Sequence, residues 1–221
     1  MYALVHKERV LVGPMKWNRG LFEGALARVK VSGHVPRLAP DADKLPLVYD
    51  ADTKIMPARY ETPEHNTRIE RTYGPFWTFD NDVAVGTFAI KDKEIEFVKA
   101  DLKNEAAAYR YELEIAGTTM DLKGTTVSLD TTRDGRNIFI QKYSIMGDGD
   151  TINWKFPEGW LNLTKAELGS VVAAGAAYIQ EQFDWEAAKA EEIDACTTLA
   201  ELDAVEIRPA VVEPDPENPG E

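Results

Sequence analysis

The sequence predicts a mixed α+β protein. It has an N-terminal β-hairpin plus helix, a loop-rich β middle region, and a helical C-terminal domain with one long helix and a short following one. Three observations carry this reading. Thr164-Lys-Ala-Glu167 has the pattern of a capping box and opens a long stretch of apolar and small residues. Short β-prone runs bounded by Gly, Pro and Asp recur between Tyr2 and Phe156. Pro36, Pro40, Pro46, Pro57 and Pro63 exclude long helices from the stretch between Ser32 and Pro63. The organisation that follows is a hairpin-helix unit at 1–31, a Pro-rich β and loop region at 32–92, an α-rich domain at 93–207, and an extended acidic tail at 208–221.

The main helix is expected over about 165–195. The Thr164 hydroxyl can accept from the Glu167 amide while the Glu167 carboxylate reaches back to the Thr164 amide. Leu163 and Leu168 stand at the spacing of a hydrophobic staple. Leu168, Val172, Ile179, Phe183, Ala187, Ala190 and Ile193 recur at helical spacing as one apolar face, with Gln180, Glu181, Asp184, Lys189 and Glu192 largely opposite. Ala173, Gly175 and Ala176 belong to a small-residue run that lets another backbone approach, either within the domain or between subunits. Thr198-Leu-Ala-Glu201 repeats the box and starts the short helix, with Leu199, Leu202 and Val205 inward. Beyond Ile207, four prolines and four acids in fourteen residues predict an extended tail, beginning at Arg208.

The remaining elements are read in chain order. Tyr2–Val5 and Val10–Val12 form a hairpin around His6-Lys-Glu-Arg9, ended by Gly13-Pro14. Trp17 to Val29 is a helix using Trp17, Leu21, Ala25 and Val29. Leu47–Tyr49, Ile55-Met56, Thr67–Tyr73 and Val83–Ala89 are strands. Glu94 to Tyr109 has helical period through Ile95, Val98, Leu102, Ala106 and Tyr109, and Tyr111–Ile115 alternates like a strand. Met120–Leu122 and Val127–Leu129 flank a Lys123-Gly124 turn. Arg133 to Met146 is a weaker helix using Ile138, Tyr143 and Met146, and Ile152, Trp154 and Phe156 alternate.

One resemblance adds to this reading. The order "LT-x-x-EL", a small-residue helix, "AAYIQEQFDWE" and then "AEEIDACTTLAELDAVEI" resembles a domain of unknown function near the C-terminus of bacteriophage tail-fibre and other tail-associated virion proteins. It begins near Ala106 and ends near Ile207. The resemblance implies a structural component of a tailed-phage virion, on the tail, baseplate, fibre or collar, made in the host cytoplasm. Its implied partners are other virion proteins and copies of itself as a homo-oligomer. The alternatives are a tail-fibre assembly chaperone or a receptor-binding or polysaccharide-cleaving tail protein. The family brings no catalytic residues, and this chain has no repetitive fibre shaft.

Composition narrows the chemistry. A net charge of −13 disfavours nucleic-acid binding, which needs concentrated Lys and Arg. No apolar run reaches the length of a membrane span. Cys196 is the single cysteine, so no intrachain disulfide is possible, and it reads as a small packed residue. His6, His34 and His65 lack metal-ligand spacing. Asp80-Asn-Asp82 and Asp148-Gly-Asp150 read as turns rather than cation loops. No phosphate-binding Gly loop and no G-x-S-x-G elbow is present, so neither catalysis nor a cofactor is expected. The aromatics Tyr73, Phe76, Trp77 and Phe79 either fill the middle region's core or stack on a partner. Thr164→Ala should destabilise the protein by about 1 kcal/mol. A urea melt reads this, and an unchanged midpoint would place the helix start elsewhere.

Overall fold

The computed structural model describes residues 1–16, 18–26, 28, 47–48, 52–80 and 83–209. They form a mixed α+β chain dividing into two compact units, Met1–Lys93 and Glu94–Glu221.

The first unit is a sheet with one helix. Its elements are β1 (Tyr2–His6), β2 (Arg9–Met15), α1 (Arg19–Leu26), β3 (Leu47–Val48), β4 (Thr53–Glu61), β5 (Glu70–Asp80) and β6 (Val83–Asp92). The strand order is β2-β1-β4-β6-β5, with β3 also on β4. The hairpin is therefore continuous with the strands of the middle region. Gly13-Pro14 does not end it: β2 runs through to Met15, which pairs Tyr2 across two register shifts. Gly13 has φ +96°, and a Cβ there would lie 2.4 Å from the Tyr2 carbonyl oxygen, so only glycine fits.

β4 changes partners along its length. Residues 53–57 pair antiparallel with β1, and residues 58–61 pair parallel with β6. Pro57, which has no N–H, sits at the changeover. Successive N–H groups point to opposite edges, and Ala58 donates to the Met1 carbonyl at 2.8 Å on the β1 side. The Pro57 nitrogen thus faces the gap between the β3 partner at Ile55 and the β6 partner at Ala58. Helix α1 buries Phe22, Ala25 and Leu26 against Leu4 and Ile55, while Leu21 is 54% exposed rather than inward. Trp17 and Val29 lie outside the described residues, as do Tyr49, Asn81, Asp82 and His34. His6 instead bonds Thr53 through Nδ1 at 2.8 Å, and His65 bonds the Pro63 carbonyl at 3.1 Å.

The second unit holds α2 (Ile95–Ile115), β7 (Thr118–Leu122), β8 (Thr125–Leu129), α3 (Arg133–Ile145), β9 (Thr151–Phe156), β10 (Gly159–Thr164), α4 (Lys165–Ala195) and α5 (Leu199–Ala204). The Tyr111–Ile115 alternation is not a strand. It is the last part of α2, held helical by an Arg110–Glu114 pair one turn apart. The Lys123-Gly124 turn has both φ angles positive, at 55° and 78°, and so suits a two-residue hairpin. β10 was not expected from the sequence; it pairs β9 throughout, Asn162 opposite Asn153.

The two hairpins and α3 enclose one core with the first half of α4. Leu122, Val127, Leu129, Phe139, Phe156 and Leu163 fill it, and Phe139 stacks on Trp154 at 4.5 Å. In α3, Gly135 and Phe139 are the buried positions. Ile138, expected inward, is 50% exposed, and Tyr143 lies largely outward. Both capping boxes form, Thr164 with Glu167 and Thr198 with Glu201. In α4 the buried residues are Leu168, Val171, Gly175 and Ile193, one position off the expected face at its centre. Phe183 is exposed. Leu202 and Val205 are buried, and Leu199 is partly so.

Arg208, expected in the solvated tail, is anchored. Its guanidinium forks onto Glu112 at 2.7 and 2.8 Å and lies 4.9 Å over the Tyr109 ring. Residues 210–221 lie outside the described ones.

Candidate functional site

A buried carboxylate joins three helices of the second unit. Glu114, near the end of α2, pairs with Arg110 one turn earlier and accepts from Arg136 Nη2 of α3 at 2.8 Å. Arg110 Nε donates to Glu186 of α4 at 2.8 Å, and its guanidinium lies 4.5 Å over the Phe183 ring. The bond to Glu186, with the charges of Glu186 and Glu114, raises the Arg110 pKa above its usual value and outweighs burial. The end of α2 is sealed as well: the Thr131 hydroxyl donates to the Glu114 carbonyl at 2.6 Å and accepts from the Gly117 amide at 3.0 Å. Tyr178 of α4 donates to the Leu113 carbonyl at 2.7 Å.

Beside this network lies a cleft of about 460 Å³ between α3, α4 and the end of β8. The two helices run antiparallel: Tyr143 near the end of α3 meets Gly169 near the start of α4, and Arg136 near the start of α3 is linked through Glu114 and Arg110 to Glu186 far along α4. The cleft therefore has two different ends. Phe139, Ile140, Val171 and Val172 line the apolar one, and Arg133, Arg136 and Gln180, with Ile179 and Phe183, line the polar one. Arg136 uses one of its nitrogens on Glu114. Arg133 has no ion-pair partner among the described residues. Asp130 also lines the cleft, but its Oδ1 accepts from the Thr132 amide at 2.9 Å at the start of α3.

The residues singled out in the sequence fall in different places. Gly175 is buried and Ala176 exposed, and both line the cleft; Ala173 is exposed. In the first unit, Tyr73, Phe76, Trp77 and Phe79 lie on the strand β5, and a register shift between Tyr73 and Phe76 sets which way each points. Trp77 and Phe79 pack inward against Ala3, Met56 and Ala84. Trp77 covers Gly86, where a Cβ would stand 2.9 Å from its ring carbons. Tyr73 and Phe76 point outward at 64% and 49% exposure and meet edge-to-face at 5.5 Å. Cys196 is partly exposed, and its Sγ bonds the Glu192 carbonyl at 3.4 Å. Arg133, Arg136 and Glu114 were not singled out. The Arg110–Glu114 spacing is visible in the sequence, whereas the Arg136–Glu114 pair spans 22 residues and leaves no local trace.

The second unit is thus a helix-bordered α+β domain with an apolar cleft built around a buried ion network. The chain belongs to the family described as Domain of unknown function (DUF4376), whose model matches residues 97–207. No curated protein and no solved structure matches the chain.

Removing Glu114 would strand the partly buried Arg136 guanidinium and leave Arg110 with Glu186 alone. Glu114→Ala should lower stability by about 2 kcal/mol, less than the loss at a fully buried pair because Arg136 keeps some solvent. Urea unfolding reads this, and a loss within error would show that the network adds nothing.

Stability should also fall in acid. The Thr164 amide holds the Glu167 carboxyl below the usual range, the Thr197 and Thr198 amides do so for Glu201, and the Ser128 hydroxyl does so for Glu158. A carboxyl whose folded pKa lies below its unfolded one contributes stability above the unfolded value. That contribution is lost as pH falls through the folded value. The urea midpoint should therefore drop as pH falls below about 4.3, the ordinary Glu value. Glu167→Gln should flatten the dependence, and an unchanged slope in that variant would remove the Thr164 cap as one of its causes.

Proposed function

We propose that this protein is a structural component of a tailed-bacteriophage virion and works through contact surfaces rather than covalent chemistry. The observation that carries the reading is the resemblance over residues 106–207 to the C-terminal domain of tail-associated virion proteins. The first unit adds support. Tyr73 and Phe76 stand outward on β5, which ends the sheet order, and paired exposed aromatics at a sheet margin suit a protein contact better than open solvent. The partners in this reading are other virion proteins and further copies of the chain.

Mass spectrometry of purified particles tests it. The protein should be present in a fixed ratio to the known tail proteins, and Tyr73→Ser with Phe76→Ser should reduce that ratio without shifting the urea midpoint. Abundance in the infected cell with absence from the particle would overturn the proposal in favour of an assembly chaperone.

A further inference from the structure

We propose that the cleft between α3 and α4 binds a small amphipathic carboxylate, a fatty acid in its simplest form, with the alkyl chain at the apolar end and the carboxylate on Arg133 and Arg136. At about 460 Å³ the cleft falls within the size range of small-molecule sites, roughly 300–1,000 Å³. From Val172 to Phe183 its α4 wall rises about 16 Å, long enough to lay an extended chain along it.

The charge pattern selects the head group. The protein carries a net charge of −13, yet the polar end of this cleft presents two guanidiniums. Among the described residues, Arg136 leaves Nε and Nη1 without a side-chain partner, and Arg133 has no ion pair. Glu114 fixes Arg136 in place, so the uncommitted donors are preorganised. A guanidinium fork matches a carboxylate in two parallel hydrogen bonds. Asp130 does not satisfy them: no ion pair joins it to either arginine, and its Oδ1 accepts from the Thr132 amide. A small inorganic anion would suit the arginines but leave the apolar end empty. A neutral lipid would fill the apolar end and leave Arg133 and the open Arg136 donors unused.

Gly175 provides independent support for an open cleft. It sits inside a 31-residue helix, where glycine is about 1 kcal/mol worse than alanine. Its φ is not in the left-handed region, and a Cβ built there meets nothing within 4 Å. Neither backbone conformation nor crowding requires glycine. A side chain at Gly175, which lines the cleft, would enter the open volume.

Isothermal titration of the full chain with decanoate tests the proposal, with decanol as the neutral counterpart. Decanoate should bind saturably, one per chain. Decanol, and decanoate with Arg133→Gln, should each bind about tenfold more weakly, the order of one charge-assisted contact. Gly175→Leu should abolish binding while its circular dichroism stays that of the parent. Ala176→Leu, from an exposed position on the same wall, is a second blocking variant should Gly175→Leu fail to fold. No saturable binding below the micelle concentration would overturn the proposal. So would equal binding of decanol and decanoate, or undiminished binding in a folded blocking variant.

Discussion

The second unit depends on where the Glu114 carboxylate can go. A carboxylate taken out of water must find charge and hydrogen-bond donors, or the fold loses more than it gains. Glu114 finds Arg110 on its own helix and Arg136 on α3, and Arg110 passes the link to Glu186 on α4. These contacts have direction, which apolar packing lacks. α4 buries only Leu168, Val171, Gly175 and Ile193 along its length, so its apolar surface alone leaves its rotation weakly defined. The ion network and the Tyr178 bond to the end of α2 fix that rotation, and with it which residues of α4 face the cleft.

The sheet of the first unit solves a different problem. β4 must serve three neighbours: it carries β1 on one edge, and on the other β3 gives way to β6 across Pro57, the one residue of the strand that cannot donate. The register shift in β5 then separates two pairs of aromatics on one strand. Trp77 and Phe79 become core, with Gly86 providing the depth that the indole needs. Tyr73 and Phe76 are left outward. The same four residues thus serve stability and surface at once.

The two features with functional promise differ in their relation to the family. The stretch 97–207 contains Glu114, Arg133, Arg136, Gly175 and Phe183, hence the network and the cleft together. Tyr73 and Phe76 precede it. The cleft therefore belongs to the domain that defines the family, and the exposed aromatics belong to the sheet that this chain places before it.

What the sequence determined by itself was local. The limits of α4 follow from the Thr164 box at one end and the Thr198 box after the other, because a cap is made by residues three apart. The Lys123-Gly124 hairpin follows from a turn that needs positive φ. Where a local pattern suited two structures, only the tertiary structure decided. Tyr111–Ile115 alternates as a strand would, yet it is helix, which sets Glu114 one turn from Arg110 and within reach of Arg136 on α3. Leu21 and Ile138 looked inward by spacing, but the elements packed against them set a face rotated from theirs. The cleft and its two arginines were decided entirely by packing, since Arg136 meets Glu114 across 22 residues and no short-range rule connects them.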